Sequence, residues 1–223
     1  MVRANMVASI DGAATADGRS GALGGAGDNA IFHLQRALAD VIVVGAQTAV
    51  TEGYRPPTVD ERYRDLRAAT GRADPPPLVL VTRSLGIAPD YTAVADPNVL
   101  IATCAKAPAQ ARERLIDAGA TLFDCGTDTV DPQILLDELA ARGHRNVLCE
   151  GGPRFLAEMT AAGLLDELAL TVSPILVGGA APRIAHGADG SAPMRLRHVL
   201  GDDEGYLYQL WERAVGDDAP RSD

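Results

Sequence analysis

One short run, Glu150-Gly-Gly-Pro-Arg154, combines the residue types that bind an anion at the start of a helix. It follows an apolar run and precedes a helical pattern. Glycines let a ligand approach the backbone, proline is tolerated at the first helical position, and the free N–H groups of a helix N-terminus favour negative charge. The run therefore predicts a phosphate or pyrophosphate site. A tight turn that needs glycine only for its shape is the alternative.

Two other turns follow apolar runs and carry suitable polar groups. One is Gly45-Ala-Gln-Thr48, and the other is Thr82-Arg83-Ser84. An arginine between two hydroxyls suits a phosphate monoester such as the 2′-phosphate of NADP. The glycine turn could hold a second edge of the ligand. For each turn, an ordinary surface connection is the alternative.

Polar residues also interrupt the first apolar segment of the chain. Asn5 and Ser9 would face the same side of a strand, and Asp11 lies just after its end. Buried polar groups cost free energy unless they have partners. The pattern therefore predicts that these three side chains face a ligand, and a satisfied structural network is the alternative.

Several other chemistries find no support in the sequence. The glycine-rich run 21–27 lacks the G-x-G-x-x-G spacing, a preceding strand and the acidic residue about 20 positions later that a dinucleotide fingerprint requires. We interpret it as a flexible lid or substrate loop, with a disordered surface loop as the alternative. The histidines and cysteines lack metal-ligand spacing, so no metal is expected. No Ser/His/Asp arrangement is visible.

Composition narrows the class of protein further. The 223 residues carry a net charge of −10, which disfavours non-specific binding to nucleic acid or to membrane surfaces. No window approaches the ~18 apolar residues of a membrane span, and the N-terminus does not resemble a signal peptide. Three cysteines, an odd number without paired spacing, fit a reducing cytoplasm.

Short apolar runs alternate with helical patterns along the chain. This alternation predicts an α/β fold whose mostly parallel sheet has helices on both faces. The last two predicted strands, near 168–172 and 206–211, have no helix pattern between them, so we expect an antiparallel C-terminal edge. We expect a single domain over residues 1–215 and a disordered tail over 216–223. The predicted strands cover approximately residues 3–9, 41–45, 78–82, 99–103, 121–124, 146–149, 168–172 and 206–211.

Four motifs in register resemble one enzyme family. They are Asn5-x-x-x-Ser-Ile-Asp-Gly12, Ala39-Asp-Val-Ile-Val-Val-Gly-Ala-x-Thr48, Val147-Leu-Cys-Glu-Gly-Gly152 and Leu165-Asp-Glu-Leu…Ser-Pro-Ile-Leu-Val-Gly-Gly179. Together they resemble the pyrimidine reductase of riboflavin biosynthesis, which is the C-terminal domain of the bifunctional deaminase–reductase and also occurs as a standalone enzyme.

The resemblance implies a dihydrofolate-reductase-like three-layer sandwich, usually a homodimer, with a mixed and mostly parallel central sheet. It implies NADPH as the hydride donor and a 5-phosphoribosylamino-pyrimidine as the substrate, which is reduced to the ribitylamino compound. The substrate ribose would open to an imine, and hydride would be added at C1′.

The resemblance also implies roles for individual residues, and the turns described above add further candidate binding residues. The expected catalytic residues are Glu150, Asn5 and Glu52. The expected substrate-binding residues are Ser9, Asp11 and Arg55. The expected cofactor-binding residues are Gly45, Thr48, Thr82, Arg83, Ser84, Val130, Gly151, Gly152, Pro153, Arg154 and Phe155.

Departures from the family pattern leave the substrate open. Asn5 replaces the lysine of the bifunctional enzymes but matches the standalone reductases, and Glu52 replaces an aspartate. The segment 52–57 departs from the usual Asp-x-Pro-x-Leu-Thr. A related reductase of the same fold that acts on a pterin such as dihydrofolate is one alternative, and a non-catalytic NADP-binding protein is another.

Overall fold

In the computed structural model, which describes residues 1–72 and 75–214, the alternation of apolar runs and helical patterns produces an α/β fold. The strands are β1 (Val2–Ser9), β2 (Val41–Gly45), β3 (Leu78–Val81), β4 (Val99–Thr103), β5 (Thr121–Asp124), β6 (Val147–Cys149), β7 (Glu167–Ser173), β8 (Met194–Gly201) and β9 (Leu207–Arg213). The α-helices are α1 (Ala26–Leu38), α2 (Ala46–Glu52), α3 (Arg64–Ala69), α4 (Ala109–Asp117), α5 (Pro132–Ala141) and α6 (Pro153–Ala161). A 3₁₀ helix, Glu61–Tyr63, precedes α3.

The chain divides into two units, which we describe separately. The terminal unit comprises Met1–Phe32 and Gly151–Asp223, and the middle unit comprises His33–Glu150. The tail expected at 216–223 lies outside the described residues. The single domain over 1–215 stays a prediction.

All the strands of the middle unit are parallel and follow the order β5-β4-β3-β2-β6. The continuous apolar sequences of β2, β3, β4 and β6 suit strands that are covered on both faces, and the residues from Val41 to Val44 are at most 1% exposed. Ile42, Val44, Leu78, Leu80 and Ile101 belong to one core cluster. This buried sheet confirms the strands predicted for this part of the chain.

Capping residues mark several helix termini. Asp131 caps α5 by accepting hydrogen bonds from the N–H groups of Gln133 and Ile134. Gly143, with a φ of 92°, follows the end of that helix. Pro108 is the N-cap of α4. Asp28 lies in the first turn of α1, which begins at Ala26.

The terminal unit contains the antiparallel edge. Its strands follow the order β1-β7-β9-β8, with β1 parallel to β7 and the other two pairs antiparallel. The expected antiparallel C-terminal edge is therefore confirmed. Strand β8 was not predicted because Arg195, Arg197 and His198 interrupt its apolar residues and almost all of it is exposed.

The part of the chain that the structure describes contains no helix with the length and apolar character of a membrane span.

The glycine-rich run is packed against aromatic rings of the terminal unit. A Cβ on Gly25 would lie 2.7 Å from Cζ of Tyr206, and a Cβ on Gly27 would lie 2.0 Å from the hydroxyl oxygen of Tyr208. The two rings are parallel, with centroids 6.3 Å apart. The Tyr206 hydroxyl also donates to the Gly24 carbonyl at 3.2 Å. Glycine is needed here because the tyrosines occupy the space of a side chain.

Candidate active site

A buried carboxylate follows the last strand of the middle unit. Glu150 comes directly after β6, and its backbone N–H donates to the Val43 carbonyl at 2.9 Å. Its side chain is 1% exposed. Arg36, in the last turn of α1, binds it with two hydrogen bonds, Nε to Oε1 and Nη2 to Oε2, each 2.7 Å long. This paired geometry fixes the orientation of the carboxylate as well as compensating its charge.

Tyr54 completes this group, which we call the Glu150 triad (Arg36, Tyr54 and Glu150). The ring of Tyr54 lies 5.2 Å from the Arg36 guanidinium carbon, and its hydroxyl interacts electrostatically with both partners. Burial raises the pKa of Tyr54 well above its usual value, and the negative charge of Glu150 raises it further. Burial alone would lower the pKa of Arg36, but the charge and hydrogen bonds of Glu150 outweigh it and raise the pKa. The tyrosine is therefore a neutral donor and the arginine a permanent cation.

Two of the expected substrate-binding residues form a local network in the terminal unit. The Ser9 hydroxyl donates to Asp11 at 2.5 Å and accepts from the Ala13 N–H at 2.9 Å. Asp11 also accepts from the N–H groups of Val177 and Gly178 at 3.1 and 2.8 Å. Hydrogen bonding, first from Ser9 and then from these N–H groups, lowers the pKa of Asp11 to about 2. The two side chains are thus held by the protein's own groups, as the alternative of a structural network describes.

The remaining expected residues of the terminal unit lie at β1 and at the start of α6. Asn5 is half-buried and is paired in register with Ala169 of β7. Gly151 has a φ of 87°, and a Cβ there would lie 3.3 Å from the methyl carbon of Met6. Gly152 is the N-cap of α6 and Pro153 its first residue. Arg154 is exposed, whereas Phe155 is buried. The two glycines therefore form a close turn whose free N–H groups suit an anion.

In the middle unit, the expected cofactor residues occupy the ends of the parallel strands. Gly45 is the N-cap of α2, in which Thr48 and Glu52 are half-buried, and Arg55 follows as an exposed residue. Thr82 accepts a hydrogen bond from the Leu85 N–H at 3.0 Å. Arg83 and Ser84 are exposed in the same turn, and Val130 is buried elsewhere in this unit.

A buried hydroxyl beside that turn tests whether these residues fit a dinucleotide. Thr103, at the end of β4, is fully buried, and its Oγ1 has no hydrogen-bond partner among the described residues. It neighbours Thr82, whose N–H donates to the Ala102 carbonyl at 3.0 Å. Buried polar groups in proteins usually have a partner. An orphaned hydroxyl at the carboxyl end of β4, on the strand beside the one that leads to Arg83 and Ser84, fits a phosphorylated cofactor at this edge of the sheet.

The sequence pattern missed Arg36, Tyr54 and Thr103. Arg36 resembles any arginine in the last turn of a helix, where positive charge is favourable in itself. Tyr54 lies in the segment 52–57 that departs from the family pattern, and this departure was the available signal. Thr103 is one of many β-branched residues at strand ends. Within the described ranges, no group of three or more His, Cys, Asp or Glu residues could hold a metal ion.

Comparison with known proteins defines first a class and then a family. Dihydrofolate reductase from Enterococcus faecalis, solved with NADP(H) and RAB-propyl, shares the fold with a TM-score of 0.50 at 14% identity over 96% of each chain. The chain therefore has the dihydrofolate-reductase-like α/β fold. Residues 1–208 match the sequence model of the RibD C-terminal domain family, and the chain therefore belongs to this family.

The relatives are named consistently. A 2,5-diamino-6-ribosylamino-4(3H)-pyrimidinone 5′-phosphate reductase from Methanothermobacter thermautotrophicus is 27% identical over 89% of this chain and 93% of its own length. The Aquifex aeolicus protein of the same name is 29% identical over 66% of this chain and 62% of its own length. A pyrimidine reductase-like protein from Corynebacterium diphtheriae has a TM-score of 0.88 at 27% identity, over 96% of this chain and 92% of that chain.

Proposed function

We propose that this protein reduces a 5-phosphoribosylamino-pyrimidine to the ribitylamino-pyrimidine phosphate of riboflavin biosynthesis, with NADPH as the hydride donor. The observation that carries the proposal is the Glu150 triad. A buried carboxylate is held rigidly by Arg36 at the position that the resemblance assigns to the acid at the pyrimidine. The names of the family relatives support the same reaction.

The chemistry of the triad suits substrate orientation. A carboxylate has about four lone-pair positions, and the two bonds from Arg36 use two of them. The others can accept a hydrogen bond from Tyr54 and one from a substrate N–H or O–H group. Because Arg36 fixes the carboxylate, this acceptor is pre-oriented. We propose Asn5 and Glu52 as further catalytic residues, and Ser9, Asp11 and Arg55 as contributors to substrate binding.

We propose that NADPH is held by the residues at the strand ends and at the start of α6. Bound NADPH would supply the hydride that is added at C1′ of the opened sugar. Arg83 and Ser84 are exposed and offer donors for a phosphate of the cofactor. We propose that Gly45, Thr48, Thr82 and Val130 also contribute to cofactor binding. In the terminal unit, the residues from Gly151 to Phe155 offer N–H groups for a pyrophosphate.

We also propose that the protein is a homodimer that works in the cytoplasm and does not bind nucleic acid or membranes. Exposed apolar side chains on and near β8, among them Leu196, Val199 and Leu200, support association with a second copy. All three cysteines are buried and none forms a disulfide bond, which suits a reducing compartment.

The deciding experiment measures NADPH oxidation with three substrates: the diamino and the deaminated ribosylaminopyrimidine phosphates and dihydrofolate. We expect turnover of at least one pyrimidine and none of dihydrofolate. Turnover of dihydrofolate alone would indicate a pterin reductase. Tight NADPH binding without turnover of any of the three would indicate a non-catalytic NADP-binding protein.

Replacement of the central carboxylate tests the observation itself. Glu150→Gln removes the charge that Arg36 binds, so we expect kcat to fall by about 100-fold while the Kd for NADPH changes by less than about threefold. Glu113→Gln, on the exposed face of α4, is the matched control and should leave both constants unchanged. Equal losses of turnover and NADPH affinity in Glu150→Gln would contradict a catalytic role.

A further inference from the structure

A buried arginine binds the C-terminal end of α1, the helix that carries Arg36 of the Glu150 triad. Arg67 in α3 is 2% exposed, although arginine is rarely buried so completely. Its Nη1 atom donates to the carbonyl oxygens of Arg36, Ala37 and Ala39, each at 3.0 Å. All four residues belong to the middle unit.

These three carbonyls stand at the C-terminus of α1. The last carbonyl groups of a helix lack partners within the helix and carry the negative end of its dipole. A cation that donates to them satisfies both requirements. Because one nitrogen contacts carbonyls on both sides of the helix end, it fixes the path by which the chain leaves α1.

One of the three carbonyls belongs to the residue that holds Glu150. Arg67 binds the backbone of Arg36, and the side chain of Arg36 forms two 2.7 Å bonds to the buried carboxylate. A two-bond fork between a guanidinium and a carboxylate depends on the direction from which the arginine approaches. A small rotation of the last turn of α1 would therefore break one or both bonds.

We propose that Arg67 is a positioning residue for catalysis, which acts on Glu150 through the end of α1 and the side chain of Arg36. This role rests on the proposed function, because the orientation of Glu150 matters for catalysis only if Glu150 acts in that reaction. Arg67 itself contacts backbone carbonyls and has no assigned contact with substrate.

Three variants separate positioning from general stability. Arg67→Met removes the donors and keeps an apolar stem. Arg67→Lys keeps a single nitrogen with three donors for the three carbonyls that Nη1 contacts. Arg114→Met, at an exposed position in α4, is the matched control.

The first readout is independent of turnover. It is the hydrogen-exchange rate of the Arg36 Nε–H group in ¹H–¹⁵N spectra, with the signal assigned by its loss in Arg36→Lys. We expect exchange to be about tenfold faster in Arg67→Met, within about threefold of the wild type in Arg67→Lys, and unchanged in Arg114→Met. The same rate in folded Arg67→Met as in the wild type would overturn the proposal. If Arg67→Met does not fold, Arg67→Gln replaces it, and wild-type exchange in that variant overturns the proposal equally.

The second readout is the division between kcat and NADPH binding. We expect kcat with the pyrimidine substrate to fall at least about tenfold in Arg67→Met and to recover in Arg67→Lys, with the Kd for NADPH unchanged within about twofold. Faster exchange with an unaltered kcat would refute the positioning role. If the wild type reduces neither pyrimidine, the proposed function fails, and the exchange rates alone decide whether Arg67 holds Arg36 on Glu150.

Discussion

At the scale of single residues, the charged groups of the candidate site are held by specific partners. Glu150 is buried with Arg36, whereas Asp11 is exposed and takes hydrogen bonds from Ser9 and from two backbone N–H groups. Water cannot solvate the negative charge of the buried Glu150 carboxylate. The hydrogen bonds of Asp11 instead fix a loop at the surface. The two carboxylates should therefore respond differently to mutation and to pH.

Removal of Arg36 should destabilise the protein because it leaves the Glu150 carboxylate buried without its cation. We expect Arg36→Met to lower the free energy of unfolding by about 3 kcal/mol. Denaturant titration measures this change. The double variant Arg36→Met/Glu150→Gln should recover part of the loss, because its buried group is neutral.

An exposed ion pair provides the contrast. Arg64 and Glu61 form a similar contact at 2.6 Å, but their side chains are 52% and 79% exposed. Arg64→Met should therefore leave the free energy of unfolding nearly unchanged. Equal losses in Arg36→Met and Arg64→Met would show that Glu150 does not depend on its partner.

Asp11 should make stability depend on pH in the acid range. Its pKa in the folded protein is about 2, below the usual value of 3.8, so its stabilising effect is present above about pH 4 and is lost as pH falls through 2. We expect Asp11→Asn to lower the thermal denaturation midpoint at pH 7, and the difference from the wild type to shrink between pH 4 and pH 2. Ser9→Ala should reduce the same dependence. A difference that stays constant over this range would contradict the assignment.

At the scale of elements, continuous apolar runs predicted the buried strands but not the exposed strand at the edge of the sheet. The buried strands of the middle unit could be recognised because each is a continuous apolar run between turn residues. Strand β8 could not, because Arg195 and Arg197 interrupt its apolar residues and no continuous apolar run marks this exposed edge strand. Its partner β9 supplies the pairing, and this information lies elsewhere in the chain.

The residues of the candidate site also divide into those that a local motif predicts and those that it does not. Glu150 and its glycines could be predicted because they form a compact motif at the end of a strand. Arg36, Tyr54 and Arg67 are 114, 96 and 83 positions away from Glu150, and only the fold brings them together. Long-range pairs of this kind leave no local spacing pattern that a single sequence could reveal.

The glycine-rich run gives a prediction at this scale. Gly27→Ala would place a methyl group 2.0 Å from the Tyr208 hydroxyl oxygen, so the tyrosine must move. We expect a loss of about 2 kcal/mol in the free energy of unfolding. The same substitution in a Tyr208→Ala background should cost much less. Gly201→Ala, where the nearest atom would be 3.6 Å away, is the control and should be nearly neutral.

At the scale of the whole molecule, fold and activity are separate conclusions. The same α/β architecture relates this chain to a pyrimidine reductase-like protein at a TM-score of 0.88 and to a dihydrofolate reductase at 0.50. A shared fold supports many reactions, and activity depends on the residues of the site. The net charge of −10 likewise describes the surface as a whole. Recognition of an anionic ligand depends on a few local arginines and N–H groups.

The edge of the terminal unit gives the last prediction. Strand β8 ends the order β1-β7-β9-β8, and Leu196, Val199 and Leu200 are 43%, 47% and 59% exposed. An open strand edge with apolar side chains favours pairing with another chain. We therefore expect a particle of twice the 23.2 kDa chain mass in sedimentation equilibrium.

Lysine at this edge should separate the two copies. Leu200→Lys would bury an ammonium group without a partner if the edge lies in the dimer interface, at a cost of several kcal/mol. We expect a monomer at concentrations where the wild type is a dimer. Ile116→Lys, at a 52% exposed apolar position in α4, should remain dimeric. A Leu200→Lys protein that stays dimeric would place the interface elsewhere, and a monomeric wild type would refute the homodimer.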